Sequence, residues 1–490
     1  MSFPNLGVVA LGVYLAALVA VALVARRARR DLSPADHFLA GRDLGAFVLL
    51  LTLYATAYSG NSLLGYPGEA YRRGFSWIMA TGFMMAIIVV FHVLVPRLRP
   101  IAVRERFVTP GDWVRFRFGE SDAGRRLRIA VAVLMTIALA NFLLAQLVAM
   151  GHVTRTVTGD LVPYGVGVVG LAAMILFYET LGGMRAVAWT DAAQGVLMLV
   201  GLGTLLAWLL GEGGGVAGTV AEIARVRPEA LAVPDAVECT NWFSTLVLMG
   251  FASVVYPQAI QRIYAARSAR SLKRALAAMT FMPLTTTLVV TLIGWAAIPR
   301  FHRLDAVAAD AVMPSLLGEW AAVGPVAALL AMLVFLGALA AIMSTADSVL
   351  LSLGSVVAED LLGRPRDDEA TTRLGKLVAL GVMGVAVLLA LVPRLTLWRL
   401  IELKMELLIQ CVPAFLLALH WSRLGPRACL AGLVLGTLVS AGAALAGVKR
   451  VEGVHVGVIG LAVNLLVALL ATLWFEGRGA DSSARERSGD

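Results

Sequence analysis

The feature that most constrains this chain is a succession of about thirteen apolar runs, most of them at least 20 residues long, cut apart by short polar segments. They fall at 6–25, 44–66, 74–96, 128–157, 160–180, 190–211, 241–262, 274–298, 322–357, 374–393, 396–420, 428–447 and 455–475. Hydrophobic residues make up 59% of the chain, against roughly 45–50% in soluble domains. Inside a bilayer only helices and closed barrels satisfy every backbone N–H and C=O, and runs of this length suit helices, since a membrane strand needs only about 10 residues. The expectation is an all-α membrane protein of about 13 transmembrane helices, forming one domain over 1–475 with a polar tail at 476–490.

The net charge of +9 does not mark a nucleic-acid binder, because most basic residues sit in alternate loops. Arg26 to Arg30, Arg97 to Arg128, Arg262 to Arg274, Arg364 to Lys376, Arg423 to Arg427 and the tail share one side. The positive-inside rule makes that side cytoplasmic, with the N-terminus outside, the C-terminus inside and the loop 211–240 external. The run from Gly7 to Ala25 lacks a basic leading region and reads as a retained span of the cytoplasmic membrane. The insert 109–128 reads as a short amphipathic helix on the membrane surface. Cys239, Cys411 and Cys429 form no even framework, so no disulfide is expected. The tail is too short for a kinase or regulatory module, and no obligatory protein partner is evident. The expected partners are a small-molecule solute and the lipid bilayer.

Three stretches break the apolar pattern with chemistry. In Ala55-Thr56-Ala57-Tyr58-Ser59-Gly60-Asn61-Ser62 a helix is interrupted by polar and small residues. Carbonyls freed where a helix unwinds can coordinate a cation, and N–H groups of the resuming half can face an anion. Small residues also serve close helix packing, but Asn61 beside Ser59 and Ser62 favours a polar role. In Ala340 to Ser348, residues 341, 344, 345 and 348 share a narrow stripe with Asp347 at its edge, a ladder of oxygens suited to sodium. Ser and Thr back-bonding explains the hydroxyls equally well, but not the costly carboxylate of Asp347. The third stretch runs from Tyr178 to Asp191, where Thr190 or Asp191 could simply cap a helix.

Together these stretches resemble the sodium/solute symporter family, most specifically through GYPGEAYRRG from Gly65, GGMRAVAWTDAAQG from Gly182 and AAIMSTADSVLLS from Ala340. The resemblance implies a LeuT-type fold of two inverted five-helix repeats, at 44–211 and 241–420, after an extra helix at 6–25 and before two C-terminal helices at 428–475. It places the second broken helix at 241–262, near Gly250, Ser253 and Pro257. It implies sodium (Na+) bound by carbonyls of Ala55, Tyr58 and Ala341 and hydroxyls of Ser344 and Thr345. A second ion site would use Asp191, Ser344, Asp347 and Ser348, with Asp347 standing where some members carry a hydroxyl. The resemblance implies solute contacts at Ser59, Asn61, Ser62, Thr81, Met249 and Ser253. Met249 and Ser253 replace aromatics of the proline carriers, which disfavours proline. On helix 396–420, Glu402, Glu406 and Gln410 share a face and Lys404 lies opposite. Glu406 or Gln410 could touch solute, or the acidic set could form an ion pair in an outer vestibule. No arginine is expected inside the core spans to clamp a carboxylate.

The expected function is sodium-coupled symport by alternating access, with a small organic acid, monocarboxylate or pantothenate-like, as cargo. Alternatives are an amino acid or sugar cargo, a solute-sensing transceptor and an uncoupled uniporter. An enzyme is not expected: the six histidines are scattered and no nucleophile–base pairing is visible.

Overall fold

The computed structural model describes residues 3–27, 33–301, 304–305, 308–363, 368–392 and 397–487. Its backbone is helical almost throughout; among the described residues the one sheet is a hairpin pairing Arg450–Val451 with Val454–His455. In chain order the principal helices are α1 (Phe3–Arg27), α2 (Ala46–Ala57), α3 (Tyr66–Arg73), α4 (Met79–Arg104), α5 (Pro110–Phe118) and α6 (Asp122–Val157). Then follow α7 (Tyr164–Leu181), α8 (Gly183–Glu212), α9 (Ala236–Ser253), α10 (Pro257–Ala265), α11 (Ala269–Met279) and α12 (Thr287–Ala296). The last six are α13 (Val312–Ala322), α14 (Pro325–Ser355), α15 (Asp368–Ala390), α16 (Leu397–Leu408), α17 (Pro426–Leu445) and α18 (Val456–Arg487).

Among the described residues, 9 helices are long and apolar enough to cross a membrane, or 11 when two bent pairs are each taken as one span. The runs 44–66 and 396–420 do not join that count because both are interrupted. The first breaks after α2, and the second passes from α16 into a 3-10 turn at Ile409–Cys411 and a π turn at Pro413–Leu417.

The break after α2 follows from its residues. Tyr58 leaves helical geometry (φ −104°, ψ 88°) while its N–H still donates to Tyr54 O at 2.9 Å. The chain resumes as a π turn at Asn61–Gly65 that leads into α3. Gly60 is required at the break: a Cβ there would collide with Ile342 and come within 3.2 Å of the Ala149 Cβ. Its N–H donates to Gln146 Oε1 at 3.1 Å, tying the break to α6. Gly60→Val is therefore expected to cost about 1–3 kcal/mol by overpacking, visible as a lowered melting temperature in detergent. The second break bends α9 against α10 by 51° over Val254–Tyr256, where Pro257 at the first turn of α10 lacks a donor in any case.

Three sequence expectations are corrected. The segment 181–189 is helical rather than a loop, and α7 and α8 join at a kink where Gly183 takes φ +56° against His37. The amphipathic helix α5 exists, but it is keyed into the bundle: Trp113 is buried and its Nε1 donates to Ala414 O at 3.0 Å. Arg262, read as the start of a polar inner segment, lies on α10 fully buried.

Candidate functional site

Both helix breaks open onto one internal cavity of about 70 Å³. Ser59 and Ser62 reach it from the first break, Met249, Ser253 and Tyr256 from the second. Aliphatic and aromatic walls come from α4 (Phe83, Met84, Ile87, Ile88, Phe91) and α11 (Leu276, Met279). Among the described residues the one charged side chain lining it is Lys404 of α16, 2% exposed, with its Nζ 3.1 Å from the Phe142 ring centroid and 4.8 Å from that of Tyr256. Lys404 makes no ion pair among the described residues. Several lining hydroxyls make weak contacts: Tyr256 and Ser253 donate to the Met405 sulfur at 3.0 and 4.0 Å, Tyr66 to that of Met84 at 3.9 Å. Thr56 Oγ1 is buried without a hydrogen-bond partner among the described residues. A thioether is a poor acceptor, so these donors are poised for a better one.

The oxygens expected to hold sodium are partly assembled. Thr345 Oγ1 donates to Ala341 O at 3.1 Å and to Ala55 O at 3.4 Å, so three of the five groups converge between α2 and α14. Tyr58 caps α2 one turn beyond Ala55, at the point where regular helical bonding stops. Hard, uncharged oxygens of this kind fit sodium. The Ser344 hydroxyl points elsewhere, donating to Asp191 Oδ1.

That contact belongs to a second, fully buried cluster in which all four residues of the expected second ion site meet. Asp191 accepts from Ser344, Thr52 and the Arg262 Nη2, the last at 3.2 Å. Asp347 accepts from the Tyr178 hydroxyl at 2.6 Å and from Ser348 at 3.2 Å, and Arg262 donates to Ser348 at 2.6 Å. Sequence reasoning missed Arg262, Thr52 and Tyr178. The available signal was the pair of intramembrane carboxylates, which demanded a cation, and a helical frame after Pro257 that carries Arg262 into the core. Removing one partner from a buried ion pair costs about 3–5 kcal/mol. Arg262→Met is accordingly expected to lower the melting temperature strongly, and Asp191→Asn with Arg262 intact to do so as well.

Other expected solute residues stand apart from the cavity. Thr81 is on α4 but does not line it. Glu406 accepts from Arg399 at 3.2 Å, and Glu402 pairs with Arg399 at 3.2 Å and with Arg450 of the hairpin. Gln410 donates to Gly457 O at 2.9 Å and Ser440 Oγ at 3.1 Å, and its carbonyl accepts from Asn464 at 2.9 Å, binding α16 to α17 and α18. These are structural contacts on the face opposite Lys404. The Asn61 side chain lies outside the described residues. Tyr66 and Phe83 of the lining pack with Trp77 and Trp398, mostly edge to face, with Trp77 and Trp398 centroids 4.7 Å apart and Phe83 tilted against Trp398. Two of these four aromatics, Tyr66 and Phe83, form part of the cavity wall and the other two back them, an aromatic lid on that side of the cavity.

Two discontinuous helices meeting at an enclosed cavity, with an oxygen-lined crevice at one break, define a cation-coupled solute carrier. The chain belongs to the sodium:solute symporter family, whose model matches residues 37–436. It is therefore a multi-pass membrane transporter that couples sodium to the movement of a small solute, and not an enzyme. Among similar proteins, the osmoregulated proline transporter OpuE of Bacillus subtilis is 27% identical over 473 residues, covering 95% of this chain and 94% of the relative. The sodium/pantothenate symporter of Escherichia coli is 26% identical, covering 89% of each. Among solved structures, a Na+-coupled sialic acid symporter in a substrate-bound outward-open state superposes with a TM-score of 0.77 at 18% identity, covering 96% of this chain and 97% of that one. MhsT in complex with L-phenylalanine gives 0.53 at 13%, over 86% of this chain and 97% of that one. The fold is thus that of the LeuT-type symporters.

Proposed function

We propose that this protein takes up a small organic acid, of the monocarboxylate or pantothenate-like kind, together with sodium across the cytoplasmic membrane. The observation that carries this reading is Lys404, a buried amino group without an ion pair among the described residues, at the wall of an otherwise apolar and hydroxyl-lined cavity. A carboxylate is the solute group that satisfies it, and Tyr256 and Ser253 can exchange a sulfur acceptor for a carboxylate oxygen. Among the described residues no Asp or Glu lines the cavity, so the ammonium of an amino acid would find no counter-charge there. That argues against proline, the cargo named for several relatives.

In this reading sodium sits between the carbonyls of Ala55, Tyr58 and Ala341 and the hydroxyls of Thr345 and Ser344, with Ser344 turning away from Asp191. The second cluster has two carboxylates and one guanidinium, so it suits an additional cation. With the N-terminus outside, the aromatic lid and the Glu402–Arg450 pair form the outer gate. Sodium favours its opening, solute permits its closing, and the inner side then opens.

The test is thermal stability of purified protein against monocarboxylates, pantothenate, amino acids and sugars, each in sodium and in potassium at equal ionic strength. A ligand that binds only the native state raises apparent stability by mass action. A carboxylate that stabilises in sodium and not in potassium is the expected result. A hit confined to amino acids or sugars would overturn the cargo class.

A further inference from the structure

A groove of about 1180 Å³ lies remote from the solute cavity, where α6, α17 and the far part of α18 meet. Arg126 near the start of α6 and Arg423 and Arg427 beside the start of α17 line it together. Arg126 and Arg427 are exposed and make no ion pair among the described residues. Asp122 also borders the groove, but its carboxylate is held by Arg125 at 3.1 Å. The loop that presents Arg423 is fixed from below: Arg117 donates to the carbonyls of Trp421, Ser422 and Leu424 at 3.0, 2.9 and 3.2 Å. Along α17 the lining then turns apolar, with Leu430, Val434 and Leu435, and the last two are exposed.

The arrangement has the polarity of a lipid. The arginines sit at or beside the ends of two helices long and apolar enough to cross a membrane. Leu435 lies eight residues further along α17, roughly 12 Å deeper by helical rise. A free phosphate would use the arginines and leave the apolar flank idle, whereas a phospholipid uses both. Clustered basic residues between transmembrane helices suit anionic headgroups in this way. We propose that this groove binds one anionic phospholipid, its phosphate held by Arg126, Arg423 and Arg427 and an acyl chain lying along Val434 and Leu435.

The test is thermal stability of the full-length protein in neutral detergent with added phosphatidylglycerol, phosphatidylcholine or inorganic phosphate, compared with Arg126→Gln/Arg423→Gln/Arg427→Gln. The three arginines lie outside the cavity and the ion clusters, so the variant is expected to fold and keep its response to solute. Phosphatidylglycerol should raise the melting temperature of the native protein by about 5 °C or more, while phosphatidylcholine and phosphate raise it by far less. The triple variant should lose that difference. Equal shifts with both lipids, a shift reproduced by phosphate alone, or an undiminished preference in the variant would each overturn the proposal. So would a phosphatidylglycerol response that appears only after residues 476–490 are removed, which would assign the groove to the tail.

Discussion

Replacing Ser344 and Thr345 together by alanine is expected to abolish sodium-driven uptake while leaving a folded protein. Thr345 is the group that already bridges the two helices at this site, with its hydroxyl against Ala341 O and Ala55 O. Each hydroxyl lost from a cation site removes on the order of 1.5–3 kcal/mol, so the pair should weaken sodium binding by a factor of about 100 or more. Ser344→Ala alone should show a smaller effect on the sodium dependence, and it should also disturb Asp191, which loses one of its three donors. Initial uptake rates across a sodium titration in proteoliposomes separate these outcomes. Uptake in the double variant at native rates with an unchanged sodium midpoint would remove both hydroxyls from the ion site.

The second large effect is expected at Lys404. Glutamine there keeps length and hydrogen bonding but removes the charge. Losing a charged partner should cost carboxylate binding about 1.5–3 kcal/mol, or roughly ten- to hundredfold in apparent affinity. The same substitution removes the cost of burying an amino group that has no counter-charge, so the empty protein should become more stable. A lysine serving only to fill space would show neither opposed change. Solute affinity and solute-free melting temperature measured on one preparation decide the matter.

Cargo charge also fixes how the membrane potential acts. One sodium with one monocarboxylate is electrically neutral, so accumulation would follow the sodium gradient alone, and a tenfold gradient would support about tenfold accumulation. A further cation bound at Asp191 and Asp347 would add one charge per cycle, worth about 2.3 kcal/mol per 100 mV. Current measured per solute moved therefore reads the role of the second cluster.

The large features of the fold were legible because they rest on local rules. Apolar runs of membrane length gave the helices, Ser59-Gly60 and Pro257 gave the breaks, and the i, i+4 frame of α16 set Lys404 opposite Glu402 and Glu406. What remained hidden depended on contacts distant in sequence. Arg262 looked like a loop residue because positive charge usually marks a membrane boundary, and its burial makes sense only beside Asp191, 71 residues earlier in the chain. Gln410 looked available to solute, yet its partners Ser440, Gly457 and Asn464 come from the last two helices. The helical path through 181–189 stayed hidden because the segment falls between two apolar runs, 160–180 and 190–211. The structure uses Gly183 to change direction between two helices.

The most direct measurement is uptake of a labelled short monocarboxylate by proteoliposomes carrying an inward sodium gradient, with potassium replacing sodium as the control. Accumulation above the external concentration in sodium, collapsing when the gradient is dissipated and absent in potassium, is the predicted result. Equal uptake in the two salts that stops at the external concentration would contradict sodium-coupled import of an organic acid.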